Sequence, residues 1–360
     1  MEFSLSDDQK MFQGSVSGYL ASASALDTVR KFADGDAAIG DSVSNGLAEL
    51  GVSQILVPET MEGLGLGLLD AALVQEAIGA AVAPARHLAN AMAIAGLHAA
   101  DSREQAAQWL PRIAAGEARF GVAMSEHVGA REGAGVVHEG GKLNGKSLFA
   151  METAGASHIL VADTAGHLHI VASDADGLSR RELVTIDRTR DFAELVFKDV
   201  ACEPLVGCED ANAADQAILV GRLLLAADTL GAAQVMLDKA VEYAKERKQF
   251  NRVIGSFQSV KHLCAEMAAQ IEPARALVWH AAHAFDEGME EAEVMICLAK
   301  SHLAEVGTFV ARTSTEVHGG MGFTDLVGLH YWFKRIGTNR QLLGGPEAVR
   351  EEAARRQGWA

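Results

Sequence analysis

The fold is decided by residues Tyr243–Met267, which read YAKERKQFNRVIGSFQSVKHLCAEM and separate two helical patterns. Before this stretch, apolar residues repeat at helical spacing as far as Ala244, and the charged run Lys245–Lys248 ends that pattern. Gly255, followed by a serine, is expected to open the next helix. The sequence therefore predicts a corner between two long helices, around which the rest of the chain is organised.

The polar residues of this corner are suited to a ligand that carries both a phosphate and an aromatic base. Arg247 supplies a planar, permanently charged guanidinium, which matches the geometry of phosphate oxygens. Phe250 offers an aromatic face for a base, and the amide of Gln258 can both donate and accept a hydrogen bond.

Composition and charge limit the classes of partner. The chain has 360 residues, which predicts two or three domains because single cores stop growing at about 250–300 residues. The net charge of −17 argues against nucleic acid or an anionic membrane surface as a partner. A polyanionic ligand would therefore need a local basic pocket.

The N-terminus is acidic where a signal peptide would be basic, and no apolar run approaches the length of about 18 residues needed to span a bilayer. We expect a cytoplasmic protein without a membrane segment. Cys202, Cys208, Cys264 and Cys297 show no CxxC spacing, and the 13 histidines show no HExxH pattern. The cysteines are expected to be reduced thiols, and no metal site is expected.

The predicted elements change from helices to strands and back to helices. Ser6 followed by Gln9 fits a capping box, and Ala-rich helices follow to about residue 116, with Gly51 and Gly79 as expected stops. The glycine-rich run Gly63–Gly67 does not lie between a strand and a helix, so a packed turn is expected there rather than a phosphate loop.

From Phe120 to about Val206 the pattern changes to short β-type runs, and from about Asn212 helical periodicity returns in pieces long enough for a bundle. Within the β region, Asn144 and Gly145 are expected to form the tight turn of a hairpin. The sequence predicts an α+β protein with an all-α domain over 1–118, a β-domain over 119–207 and a helical bundle over 208–360.

The motif R-x-Q-F-x-x-x-I-x-x-F-Q-x-V-K-H, present from Arg247 to His262, resembles the signature of the acyl-CoA dehydrogenases. Two further stretches resemble segments of that family in the family's order. They are Glu316–Thr324, which reads EVHGGMGFT, and Leu56–Glu59 followed by the run Gly63–Gly67. The resemblance implies the family's fold, in which a helical domain, a β-domain and a helical bundle follow one another.

The resemblance also implies the chemistry. In this family a carboxylate removes the α-proton of an acyl-CoA thioester while the flavin of FAD takes a hydride from the β-carbon. It implies a tetramer in which the β-domain of one chain holds the isoalloxazine ring and the bundle of a neighbouring chain holds the pyrophosphate and adenine. The two halves of the FAD site can therefore be compared with this sequence separately.

The bundle half of the site matches the family well. The family's cofactor-binding positions correspond here to Arg247, Phe250, Ile254, Gln258, Glu316, Gly319 and Gly320. Glu316 stands where the family usually has glutamine, which places one hydrogen bond in doubt. The glycines are expected to let the backbone approach the cofactor closely.

The β-domain half matches poorly. Ser125–Glu132 reads SEHVGARE where the family commonly has TEPGAGSD, so that Arg131 replaces a serine expected near the thioester. Leu148–Ala150 replaces a Trp-Ile-Thr or Trp-Ile-Ser segment whose hydroxyl and amide face the flavin. A branch that uses backbone amides in place of these side chains is the alternative. By resemblance, Ser125 and Arg222 are the predicted substrate-binding residues.

Neither position of the family's catalytic glutamate holds a proton acceptor. One corresponds to Leu343 and the other to Gly221. Asp228 lies two helical turns beyond Gly221, about 10 Å along the axis, and is the only fallback base that we assign. An aspartate in an apolar helix is more typical of a hydrogen-bonded structural group, and His318 and His330 are expected to pack or to bond backbone carbonyls.

Two hypotheses follow. The first is a non-catalytic β-subunit of an α2β2 acyl-CoA dehydrogenase that resembles those acting on steroid side-chain CoA thioesters; the ending Leu342–Pro346 also resembles that branch. Such a chain would supply its half of the FAD site to a catalytic partner chain. The alternative is a self-sufficient homotetrameric dehydrogenase with an atypical base. The first is favoured because the chain keeps the half of the site that works in trans.

Overall fold

A computed structural model describes residues 4–100, 102–129, 131–207 and 212–359. Ala130 and Cys208, which the sequence analysis considered, lie outside the described residues. The helices are α1 Asp7–Ala23, α2 Leu26–Ala33, α3 Ala38–Glu49, α4 Leu68–Ala80, α5 Leu88–Ala99, α6 Arg103–Ala114, α7 Ser125–Val128, α8 Asn212–Glu246, α9 Gln258–Asp286, α10 Ala292–His318, α11 Leu329–Gln341 and α12 Pro346–Arg356. The strands are β1 Phe120–Ala123, β2 Gly135–Glu139, β3 Lys142–Met151, β4 His158–Ala162, β5 Leu168–Ala172, β6 Leu178–Glu182, β7 Phe192–Ala201, β8 Glu203–Pro204, β9 Lys248–Gln249 and β10 Arg252–Val253.

The predicted α+β class and the order of helices, strands and helices are confirmed. The domain limits at residues 118 and 207 stay a prediction. By contacts, the chain divides into two compact units that each combine distant segments. We call them the helical unit, formed by the described residues of Met1–Gly35, Ala72–Ala83 and Leu223–Ala360, and the sheet unit, formed by those of Asp36–Ala71 and Pro84–Arg222.

The N-terminal helices begin and end largely where their capping residues predict. Ser6 Oγ accepts from the Gln9 amide at 3.1 Å and Gln9 Oε1 accepts from the Ser6 amide at 3.0 Å, which confirms the capping box. Gly51 follows α3 with a φ of +86°, as expected of a stop. The run Gly63–Gly67 is a packed turn, because a Cβ on Gly63 would lie 1.9 Å from the Val57 carbonyl oxygen.

Gly79 is the second-to-last residue of α4, so the helix ends one residue beyond the predicted stop. It lies inside α4, where an added Cβ would stand 2.0 Å from the backbone oxygen of Asp228 on α8. Gly231 on α8 has the reciprocal role, since its Cβ would lie 1.9 Å from the Glu76 oxygen. Both glycines are needed because the two helix backbones approach more closely than any side chain allows.

The sheet unit contains one large sheet in the order β6-β7-β3-β1-β4-β5-β8, with β2 also paired to β3. The pair β1–β4 is parallel and the other pairs are antiparallel. Its inner face is a cluster of buried apolar side chains, among them Val136, Val171 and Phe197. Burial of these apolar side chains stabilises the packing of the strands.

The predicted hairpin turn at Asn144 and Gly145 is wrong. Both residues lie within β3, opposite Val137 and Val136 of β2. The turn is made by the preceding pair of glycines, 140–141, with φ values of +59° and +78°, and Glu139 pairs with Lys142 across it. Two consecutive positive φ angles are those of a type I′ turn, which Gly-Gly forms as readily as Asn-Gly.

The corner between α8 and α9 is a short hairpin. Strands β9 and β10 pair antiparallel, and Phe250 and Asn251 form the turn with φ values of +50° and +61°. Residues Ile254–Ser256 form a 3₁₀ turn, and α9 begins at Gln258. The prediction that Gly255 opens the helix is therefore wrong by three residues.

Two segments, Asn212–Glu246 and Ala292–Phe323, are long and apolar enough by length and composition to cross a membrane, so the statement that no apolar run approaches this length is corrected. The apolar windows are 89% and 61% buried in protein, as core helices are. Buried bundle helices need apolar residues on most faces, which gives them the composition of a membrane span.

Candidate FAD site and the positions of the catalytic base

The α8–α9 corner exposes its cationic and aromatic side chains. Among the described residues, the guanidinium of Arg247 forms no hydrogen bond or ion pair, although its backbone carbonyl accepts from the Ile254 amide at 2.8 Å. The side chain of Phe250 is 87% exposed. Gln258 is exposed at the first turn of α9, where backbone N–H groups lack helical partners. The corner therefore has donors and an aromatic face that the chain itself does not use.

The structure brings this corner close to the glycine-rich turn. Tyr243, one turn before Arg247, stacks on His318 with ring centroids 4.7 Å apart. Gly319 and Gly320 follow directly, both are exposed, and a Cβ on either would meet nothing within 4 Å. The predicted cofactor residues at 247–258 and at 316–320 therefore lie at the ends of two helices, α8 and α10, that are in contact within the helical unit.

The exposed groups at these two helix ends are of the types that bind the pyrophosphate and adenine of FAD. Arg247 can form charge-assisted hydrogen bonds to phosphate. The space next to Gly319 and Gly320 is unoccupied, which lets a cofactor approach the backbone. Glu316 is exposed on the last turn of α10 and contributes an acceptor only. Which of these residues touch the cofactor stays a prediction.

The β3 segment that would face a flavin is bonded within the chain. Glu126 on α7 accepts from Ser147 Oγ at 2.7 Å and from the Leu148 amide at 2.7 Å. The amide of Leu148 is one that the alternative with backbone donors could use, and here Glu126 already holds it. Sequence analysis missed this role of Glu126, because only the fold brings α7 against β3.

Phe149, the next residue of β3, places a large side chain on the segment that would face a flavin. Phe149 has a φ of +54° and is 37% exposed, and the guanidinium of Arg131 lies 5.1 Å from the centre of its ring. The hydroxyl of Ser125 donates to the Phe149 carbonyl at 3.3 Å. Of the predicted substrate-binding residues, Ser125 is thus hydrogen-bonded within the chain and Arg222 is buried, with 3% of its surface exposed.

The two family positions for a catalytic base are buried and apolar. Leu343 is a buried side chain with a φ of +55°, and Gly221 is buried within α8. The buried ammonium of Lys300 donates to the carbonyls of Arg340 and Gly344, at 3.2 and 3.3 Å, which fixes the backbone around Leu343. No proton acceptor stands at either position.

Asp228, the fallback base, is a structural carboxylate. It is fully buried and pairs with Arg335, whose Nε and Nη2 each donate to a different carboxylate oxygen at 3.0 Å. Asn339 Nδ2 donates at 2.6 Å and Gln75 Nε2 at 2.8 Å. An ion pair with two further donors leaves little capacity to take a substrate proton, and it joins α4, α8 and α11.

The histidines near the glycine-rich turn also have structural partners. His318 Nδ1 bonds the Ser314 carbonyl at 2.8 Å, and burial lowers the pKa of its imidazole. His330 Nε2 lies 2.9 Å from an oxygen of Asp325. The expectation that His318 bonds a backbone carbonyl is confirmed, and His330 pairs with a carboxylate instead.

Glu152 and Glu76 are two of the buried carboxylates that were not considered from the sequence. Burial raises the pKa of Glu152 to about 7, against the opposing effect of Arg190 at 3.7 Å, and the Ala89 amide donates to Glu152 at 2.9 Å. Burial also raises the pKa of Glu76, which is paired with Arg275. Both have an arginine partner inside one unit, which indicates structural groups.

Comparison with known proteins decides the family. The family models for the N-terminal and C-terminal domains of acyl-CoA dehydrogenases match residues 6–117 and 211–358. The chain is 31% identical to acyl-CoA dehydrogenase IpdE2 of Mycobacterium tuberculosis over 344 residues, which cover 95% of both proteins. The chain belongs to the acyl-CoA dehydrogenase family.

Other members of the acyl-CoA dehydrogenase family extend the similarity. Isobutyryl-CoA dehydrogenase of Dictyostelium discoideum is 27% identical over 370 aligned positions, which cover 96% of this chain and 88% of the relative. A solved structure of a Tcur3481–Tcur3483 steroid ACAD variant superposes with a TM-score of 0.88 and 27% identity, covering 98% of both chains. The family is FAD-dependent, and FAD is the cofactor that it implies for this chain.

Proposed function

We propose that this acyl-CoA dehydrogenase chain is the non-catalytic subunit of a heteromeric, FAD-dependent enzyme. It supplies the pyrophosphate and adenine half of the FAD site, through Arg247 and the neighbouring surface, to a catalytic partner chain. The partner supplies the flavin face and the carboxylate base. We place the complex in the cytoplasm, with an α2β2 composition and no role for nucleic acid or membrane.

The observation that carries the proposal is the contrast between Arg247 and the base positions. Arg247 is exposed and forms no side-chain bond among the described residues, whereas Leu343 and Gly221 have no proton acceptor. Asp228 is held by Arg335, Asn339 and Gln75. The self-sufficient alternative therefore lacks the base that it was assigned.

The chain's own groups would contribute binding and not proton transfer. FAD, when bound, supplies the acceptor for the hydride that leaves the β-carbon of an acyl-CoA. Arg247 would neutralise phosphate charge, and the exposed Phe250 would cover an aromatic ring of the cofactor. The glycine turn would allow the partner's cofactor to lie against the backbone.

The substrate class is suggested by the names of relatives. The similar Tcur3481–Tcur3483 protein is a steroid ACAD whose name joins two proteins. A CoA ester of a steroid side chain is therefore the substrate class that we propose for the complex, with an acyl-CoA dehydrogenase chain as the partner.

The test is the flavin content of the chain alone and of the chain co-purified with candidate catalytic partners. We expect little or no FAD with the isolated chain and about two FAD per four chains in the complex. Absorbance of the released flavin against total protein, with mass determination by light scattering, measures this ratio. A tetramer of this chain alone that holds four FAD and is reduced by an acyl-CoA would refute the proposal.

A further inference from the structure

Two histidines and one cysteine lie close together in the sheet unit. They are distant in sequence from the candidate FAD residues at 247–320. His138 comes from β2, His169 from β5, and Cys202 directly follows β7. One ligand atom from each lies within 4.8 Å of the other two. We propose that these three side chains form a Zn²⁺ site, a proposal that departs from the expectation of no metal site.

Strand alternation directs the three side chains to the same face. Val136 and Val171 belong to the buried core of the sheet, and His138 and His169 are each two residues from one of them. Cys202 packs against the same core. The ligands therefore converge on the inner face of the sheet.

Asp163 fixes the tautomer of His169. The Asp163 carboxylate lies 3.0 Å from His169 Nε2, and its other oxygen accepts from the backbone amides of Ala165 and His167, both at 2.9 Å. Because an ionised carboxylate can only accept, the proton of the neutral imidazole stays on Nε2. The lone pair is then on Nδ1, and this carboxylate–histidine arrangement is the one that metal-bound histidines use.

The remaining nitrogen of His169 has the right spacing from the sulfur. Nδ1 lies 3.8 Å from Cys202 Sγ. With Zn–N of about 2.0 Å and Zn–S of about 2.3 Å, a tetrahedral site separates its nitrogen and sulfur ligands by about 3.5 Å. An ion between these atoms thus needs only a small adjustment of the side chains.

His138 supplies a third ligand. Its ring centre lies 4.5 Å from that of His169, and its Nε2 is buried without a hydrogen-bond partner among the described residues. A buried nitrogen without a partner has a free-energy cost that a bond to a metal would remove. The observation is independent of the spacing between Cys202 and His169.

The donor set favours a transition-metal ion, of which we propose Zn²⁺. One thiolate and two imidazoles favour Zn²⁺ and disfavour Mg²⁺ and Ca²⁺, which prefer oxygen ligands. Three protein ligands leave a fourth position for water. The ion would connect β2 to β5, near the point where the amide of Thr164, in the β4–β5 turn, donates to the Val136 carbonyl of β2 at 2.8 Å. It would therefore stabilise the edge at which β2 meets the β4–β5 turn.

The test uses the full chain, freed of any affinity tag, stripped with a chelator and titrated with Zn²⁺ or with Co²⁺ as a spectroscopic probe. We expect about one zinc per chain after gel filtration, and with Co²⁺ a thiolate-to-metal charge-transfer band. Cys202→Ser should remove the band and lower the affinity at least about 100-fold. Asp163→Asn, which loses only the orienting carboxylate, should keep the band and lower the affinity about 10- to 100-fold.

The matched control is Cys264→Ser, because Cys264 is a half-buried thiol on α9. It should bind zinc and show the cobalt band as the wild-type chain does. Circular dichroism of each metal-free variant verifies folding, and His138→Ala provides a second ligand variant. No retained zinc in the wild-type chain, or equal affinity in folded Cys202→Ser, would overturn the proposal. Neither measurement uses FAD or the partner chain.

Discussion

The α8–α9 corner and the α7–β3 junction differ in what their polar groups bind. At the corner, Arg247 has no side-chain partner among the described residues and Phe250 is almost fully exposed. At the junction, Glu126 accepts from both Ser147 and Leu148. The comparison teaches that this chain leaves the polar groups of the corner available to a ligand and bonds those of the junction within itself.

A buried, paired charge and an exposed one also occur along α8 and at the residue that follows it. Asp228 is fully buried and bonded to Arg335, whereas Arg247 follows the last residue of the helix and is exposed. A buried charge whose desolvation cost is offset by partners within the chain is typical of a structural group. An exposed charge without such partners is available to bind a ligand. Substitutions can decide, for each residue, whether it is a structural group or is available to bind a ligand.

The largest effect is expected for Asp228→Asn. Losing the charge that pairs with buried Arg335 should lower the free energy of unfolding by about 3–5 kcal/mol. Turnover by the assembled complex, normalised to folded protein, should change little. Chemical denaturation and steady-state rates measure the two quantities.

The control for Asp228 is Asp238→Asn, an exposed aspartate on the same helix, which should change stability by less than about 0.5 kcal/mol. Turnover lower by about 10²–10⁴-fold with unchanged stability would show that Asp228 is a catalytic base.

His87 differs from both Asp228 and Arg247, because it is buried and one of its ring nitrogens has no hydrogen-bond partner among the described residues. Burial lowers its pKa from 6.5 to about 4, and its Nε2 has no hydrogen bond among the described residues. Between these values the unfolded chain binds more protons than the folded chain, so stability falls as the pH is lowered from 6.5 to 4. This group should contribute up to about 3 kcal/mol to that loss.

Urea denaturation of wild type and His87→Gln across this pH range isolates the contribution. The variant should lose less stability on acidification, while His98→Gln, at an exposed histidine on α5, should follow the wild type. Parallel curves for His87→Gln and wild type would contradict the assignment.

Arg247→Ala should weaken FAD binding by the assembled complex. Loss of a charge-assisted contact to phosphate is worth about 1.5–3 kcal/mol, or about ten- to a hundredfold in affinity. Fluorescence titration of the apo complex with FAD measures the change, and circular dichroism should stay helical.

Arg252→Ala is the matched control, because Arg252 lies in the same hairpin but its guanidinium is 3.8 Å from the ring centre of Phe257. It should bind FAD as the wild-type complex does. If folded Arg247→Ala retains full affinity, the corner is structural and the comparison between the two regions fails.

The smallest effect is expected for Glu126→Gln. The amide retains one acceptor, so one of the two donors, Ser147 Oγ or the Leu148 amide, should lose its partner at a cost of about 1 kcal/mol. FAD content of the complex should not change. Thermal denaturation beside flavin content measures both, with Glu132→Gln, an exposed neighbour, as control. A change in FAD content without a change in stability would place Glu126 in the cofactor site.

The sequence by itself determined the family, the order of helices and strands, and the absence of a proton acceptor at the two positions that we predict to correspond to the family's base. These are local properties: the motif at 247–262, the change of hydrophobic period, and the identity of Leu343 and Gly221. The capping box at Ser6 was also readable, because its two partners are three residues apart.

The tertiary structure decided what depends on residues distant in sequence. Gly79 is a packing glycine because α8 approaches it, Asp228 is structural because Arg335 reaches it, and Glu126 closes β3 because α7 lies beside it. The convergence of His169 and Cys202 has the same origin. Sequence patterns report the period of one element, whereas the partners of a buried polar group are set by how elements pack.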